Sequence, residues 1–260
     1  MKAIFCSLLT LALSMNAHAK LVTKTVSYEQ SGTKLEGYLA YDDSATVNGK
    51  VPGIVVFPEW WGLNDYIKSR AEQLAKMGYI AFAADMYGDG QSTTQPAKAK
   101  EFVSNFYGKP LMAERAQAAL DQLLKTGMVD ESKVAAIGFC FGGSTSLALA
   151  YTGAPLAGVV TFHGGLIPAP ADAAEKTKAK FLILHGALDP LVNKETVDSF
   201  LKSMNDGKFD FQFVEYSGAV HGFTNPDAGK FHLDGLGYNA EAATRSWNQM
   251  KIFFGEIFGK

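Results

Sequence analysis

Residues 22–29 and 34–40 alternate apolar and polar side chains, with Ser31-Gly32 between them. A period of two puts one face of each stretch on a core, so the pair predicts an antiparallel β-hairpin. From Val51 the pattern changes. Short runs that are apolar throughout (53–57, 79–84, 134–138, 158–162, 181–185 and 211–216) alternate with stretches of helical period at 65–77, 111–126, 143–151 and 194–204. Such runs separated by amphipathic helices predict a mostly parallel sheet covered on both faces. A last helix is expected over 240–258, with Trp247, Ile252, Phe253 and Ile257 against the sheet. Asp130 and Ser132 read as turn formers ahead of the run at 134. Residues 91–109 read as a short helix or lid whose inward face carries Phe102, Phe106 and Tyr107. No repeat or linker interrupts the pattern, so 20–260 reads as one α/β domain.

Composition changes this picture only slightly. Hydrophobic residues make up 47% and charged residues 19% of the chain, enough apolar material for a sizeable core. The formal charge of −2 predicts neither a nucleic-acid nor an anionic-membrane partner. The first residues do change it. Met1-Lys2, an apolar run over 3–15 and Ala17-His18-Ala19 form the pattern of a secretory signal peptide over 1–19, cut after Ala19. The mature protein is then periplasmic or secreted, with no membrane attachment, and is read as a monomer. Cleavage removes Cys6 and leaves Cys140 as the one cysteine. An unpaired cysteine in an oxidising compartment is either a buried apolar filler or a working thiol.

Its surroundings decide between these. Gly138-Phe139-Cys140-Phe141-Gly142-Gly143 follows an apolar run and opens a small-residue helix. This is the Gly-x-nucleophile-x-Gly turn, with Cys in the nucleophile position. A sharp strand-to-helix turn needs glycine two residues before and two after the nucleophile, because side chains there would collide. The helix N-terminus favours thiolate over thiol, and the Phe141 N–H is free to bind an oxyanion. A phosphate loop would need a different glycine spacing and a lysine.

Asp189 follows the run at 181–185, and His221 follows the run at 211–216. Both therefore fall at the C-terminal sheet edge with Cys140, in the chain order nucleophile, acid, histidine. His221 would accept the thiol proton and Asp189 would hold the imidazole. The bland alternatives are a turn at Asp189-Pro190 and a surface loop at His221-Gly222. His185 is expected to make backbone or core hydrogen bonds near the acid loop. His163 either lines the pocket or serves the structure. No histidine sits in a metal-binding cluster, and no cofactor is implied.

These residues resemble the dienelactone hydrolase family. The resemblance rests on Pro58-Glu59-Trp60-Trp61-Gly62, Gly78-Tyr79, Ala84-Asp85-Met86-Tyr87-Gly88, the cysteine turn, Leu184-His185-Gly186 with Asp189, and Ala219-Val220-His221-Gly222-Phe223. It implies an α/β-hydrolase that cleaves an ester or lactone through an acyl-enzyme, with Cys140, Asp189 and His221 as the triad. It further implies oxyanion donors at the Trp60 and Phe141 N–H groups, and a thiol-gating acid at Glu59. Trp61, Tyr87, His163 and Phe223 are assigned to the substrate pocket.

The chain also departs from the family pattern. Two arginines that hold a substrate carboxylate in the family are missing: the first stretch reads Tyr87-Gly88-Asp89-Gly90, and the second position is Asn225. A neutral ester or lactone is therefore expected over an anionic dienelactone, and Glu59 loses its expected partner. Two other functions compete, an acyl-transferase on the same residues and a non-catalytic ligand-binding or redox thiol protein.

Overall fold

The computed structural model describes residues 20–46 and 49–259. The signal-peptide reading of 1–19 lies outside the described residues. The hairpin forms as β1 (Leu21–Gln30) and β2 (Thr33–Asp42), paired antiparallel. Then follow β3 (Val51–Phe57), α1 (Asp65–Ala75), β4 (Ile80–Ala83), α2 (Pro96–Val103), α3 (Leu111–Lys125) and β5 (Val129–Phe139). The chain continues through α4 (Phe141–Tyr151), β6 (Gly158–Phe162), the one-turn α5 (Ala173–Lys176), β7 (Lys180–Gly186), α6 (Lys194–Asp206), β8 (Phe211–Tyr216) and α7 (Ala240–Phe258).

The eight strands make one sheet in the order β1-β2-β4-β3-β5-β6-β7-β8, parallel from β4 to β8. Alternate residues of each central strand enter opposite layers. Val55 and Phe57 pack with the buried faces of α3, α4 and α6, whereas Ile54 and Val56 pack with α1 and α7. With both faces covered, these strands are apolar throughout, which is why they read as continuous runs.

Three details differ from the sequence reading. Asp130 and Ser132 lie inside β5, at an irregularity in its pairing with β3, where Asp130 Oδ1 accepts from the Ser132 N–H and hydroxyl. Ile252 is 67% exposed, and Phe254 and Phe258 meet Tyr79 instead. A helix with apolar residues at 252, 253, 254, 257 and 258 has more apolar positions than one face holds, so its orientation is set by the sheet it meets. Tyr107 is half-exposed, whereas Phe106 is buried.

Candidate active site

Cys140 sits between β5 and α4 with φ 54° and ψ −116°, a backbone conformation that costs a side-chain-bearing residue about 1–3 kcal/mol. The surroundings impose it. A Cβ at Gly138 would strike the Gly142 carbonyl, one at Gly142 would strike the Phe57 carbonyl, and one at Gly143 would meet Gly164 Cα. The Cys140 N–H bonds the Phe162 carbonyl at 3.1 Å, tying the turn to β6.

Asp189 lies three residues past β7. Its Oδ1 accepts from the Leu191 and Val192 N–H groups at 2.9 and 3.2 Å, and its Oδ2 meets His221 Nδ1 at 2.7 Å. The turn and the partnership with histidine thus use different oxygens of one carboxylate. The His221 backbone is held on both sides: its N–H donates to the Gly235 carbonyl at 3.1 Å, and its carbonyl accepts from the Gly237 N–H at 3.0 Å. Burial pulls the imidazole down, but the Cys140 charge, the Asp189 and Cys140 hydrogen bonds and the Asp189 charge together raise it to about 10. The structure therefore brings the three residues to one place: Asp189 bonds His221, and His221 shares a cavity wall with Cys140.

A cavity of about 180 Å³ opens on Cys140 and His221. Trp60, Tyr107, Gly165, Leu191, Val192 and Leu236 form the rest of its wall. Its lining does not include Trp61, Tyr87, His163 or Phe223, which corrects the pocket assignment. Trp61 is buried and stacks on Phe231 at 4.0 Å. Tyr87 donates to the Trp60 carbonyl at 2.9 Å, so it fixes the loop that carries Trp60. Phe223 is fully buried against Tyr216 and His163. His163 is also fully buried, bonds Thr224 Oγ1 through Nε2 at 2.7 Å, and places its ring edge-to-face with His221 at 5.4 Å. Burial, with the His221 and Arg70 charges behind it, holds His163 well below the usual histidine range. His185 departs from expectation too, because its buried Nδ1 has no hydrogen-bond partner.

Glu59 is 3% exposed, and its Oε2 accepts from Asn225 Nδ2 at 2.7 Å. Burial raises its carboxyl to about 7, against the opposing pull of the Asn225 hydrogen bond and the His221 and Arg70 charges. Asn225 thus supplies the partner that the missing arginine was expected to take away. Among the described residues, no group of three or more His, Cys, Asp or Glu could hold a metal ion.

The sequence reading missed the cavity wall beyond Trp60. Leu191, directly after Asp189-Pro190, and Leu236, between two glycines, are apolar residues on tight loops, and that was the available signal.

Residues 35–258 match the Dienelactone hydrolase family. The chain belongs to that family. It is 45% identical to a dienelactone hydrolase-like promiscuous phosphotriesterase from metagenomic libraries (TM-score 0.87), over 91% of this chain and 98% of the other. A second solved structure, m3DLH, is 39% identical over the same shares, also with a TM-score of 0.87. A Saccharolobus solfataricus protein named "Putative carboxymethylenebutenolidase" is 26% identical over 90% of this chain and 98% of its own. This dienelactone hydrolase relative is a carboxylic ester hydrolase acting on a small-molecule ester or lactone.

Proposed function

We propose that the enzyme hydrolyses a neutral ester or lactone through a Cys140 acyl-enzyme. The observation that carries this reading is that Cys140 and His221 line one apolar cavity while Asp189 bonds the imidazole from behind. The thiolate sulfur attacks the acyl carbon, and the carbonyl oxygen becomes an oxyanion facing the Trp60 and Phe141 N–H groups. Collapse forms the thioester and breaks the bond to the alkoxide, which takes its proton from His221. Forming the thioester also removes the Cys140 charge, the largest of the influences that raise His221. His221 is then free to take a proton from water, whose oxygen releases the acid and restores the thiolate.

The side chains of the cavity wall include no lysine or arginine, which favours a neutral acyl group over a carboxylate. A neutral phosphotriester is a second candidate substrate, favoured by the same wall and by the 45%-identical relative's activity. We further propose that residues 1–19 direct export, so that the mature N-terminus is Lys20; N-terminal sequencing of the expressed protein checks this.

The central test is kcat/KM on matched acidic and neutral esters and lactones, with intact mass of the acyl-enzyme. Neutral substrates are expected to be preferred, and Cys140→Ala to lose both the adduct and turnover. Preference for the acid, or turnover that survives in Cys140→Ala, overturns the reading.

A further inference from the structure

The proposed hydrolysis leaves the hydroxyl of the cavity wall without a task. Tyr107, between α2 and α3, lies beside Cys140 with its ring edge-to-face on Phe141 at 5.7 Å. Its hydroxyl is 3.4 Å from Ser144 Oγ, longer than a normal O–H···O bond. Ser144 has a single proton, and it goes to the Gly165 carbonyl at 2.7 Å. Ser144 can therefore only accept from Tyr107, and accepts weakly. The phenolic proton stands almost uncommitted at the wall of a cavity whose aliphatic members are Leu191, Val192 and Leu236.

Gly165 keeps that position open. A Cβ there would come within 2.6 Å of Ser144 Oγ and 3.3 Å of the Tyr107 hydroxyl. Burial, and after it a charge on Cys140, raise the phenol to about 12. At neutral pH it is a donor and carries no charge.

We propose that Tyr107 is a specificity-determining residue whose hydroxyl donates to a neutral oxygen on the acyl group held by Cys140. The preferred substrate then carries an ether, hydroxyl or keto oxygen near its acyl carbon, in place of a plain alkyl chain. A neutral donor suits a neutral acceptor here: where a cation would select a carboxylate, a phenol in an apolar wall selects an uncharged oxygen. The proposal rests on the acyl-enzyme reading above.

Methoxyacetyl and butyryl esters of one alcohol differ only by an oxygen in place of a methylene. Their intrinsic difference in reactivity cancels when wild type is compared with Tyr107→Phe. The expected result is a loss of about 3- to 10-fold in kcat/KM on the methoxyacetyl ester, the size of one neutral hydrogen bond, with the butyryl ester within twofold. Equal losses on both esters, or no loss on either, overturn the proposal. Ser144→Ala, which removes the weak acceptor and the bond to the Gly165 carbonyl but leaves the phenol, is expected to keep the methoxyacetyl preference. Its loss there would assign the effect to helix packing and also overturn the proposal. Intact mass separates the two readings. With no adduct on wild-type Cys140, the acyl-enzyme reading fails. With an adduct present and an unchanged ester ratio in Tyr107→Phe, only the Tyr107 assignment fails.

Discussion

Two buried carboxylates serve this site, each with a 2.7 Å bond to a nitrogen donor, yet their environments differ sharply. Asp189 faces an imidazole that can become a cation, and its second oxygen takes two backbone N–H groups. Glu59 faces Asn225, an amide that can never carry charge, and burial raises it to about 7. Bond length does not distinguish the two carboxylates. The charge state of the donor and the number of N–H groups delivered to the anion do.

The sharpest way to test that contrast is to neutralise each acid without changing its shape. In Asp189→Asn, an amide N–H₂ or carbonyl replaces the carboxylate oxygen that holds His221 Nδ1. The imidazole then loses the anion that stabilises its cation. A fall in kcat on the order of 10³- to 10⁴-fold is expected. Glu59→Gln keeps an acceptor for Asn225, so its kcat is expected to stay within about tenfold of wild type. Steady-state kinetics on one neutral ester checks both. Comparable losses in the two variants would erase the distinction.

The comparison also marks what could be read from the chain. The parallel sheet was legible because burial on both faces leaves apolar runs. The meeting of Cys140, Asp189 and His221 followed from each lying just past a strand end. The cavity was less legible. Tyr107, Leu191 and Leu236 come from three loops whose approach depends on tertiary packing, and no periodicity records that. Motif aromatics misled for a related reason. Trp61 and Tyr87 look like ligand contacts, but Trp61 stacks on Phe231 and Tyr87 holds the Trp60 carbonyl. Glu59 and Asn225 were both visible as positions of interest, whereas their pairing spans 166 residues and no local pattern encodes it.

Stability measures the same contrast on a smaller scale. The folded protein holds the Glu59 proton up to about pH 7, whereas the unfolded chain releases it near 4.5. Between those values the folded state binds more protons, so raising the pH costs wild type stability that Glu59→Gln does not lose. The stability difference between the two is expected to shift by about 3 kcal/mol in favour of Gln from pH 4.5 to pH 7, then level off. Urea denaturation at a series of pH values checks this. A difference that stays flat would mean that the buried carboxyl ionises at no cost.

The smallest effect isolates the bond itself. A double-mutant cycle of Glu59→Ala and Asn225→Ala removes each partner singly and together. Asn225 Oδ1 also accepts from the Asp227 N–H at 2.9 Å, but that loss occurs in both arms and cancels. The amide cannot titrate, so any change of coupling with pH reports the charge on Glu59. Coupling of about 1 kcal/mol is expected near pH 5.5, where the carboxyl is neutral, and about 2 kcal/mol near pH 8.5, where the bond is made to an anion. Coupling that grows with pH would identify Asn225 as the group that makes the Glu59 anion tolerable. Coupling near zero at both values would leave burial alone in control of Glu59, and its kinship with Asp189 would end at geometry.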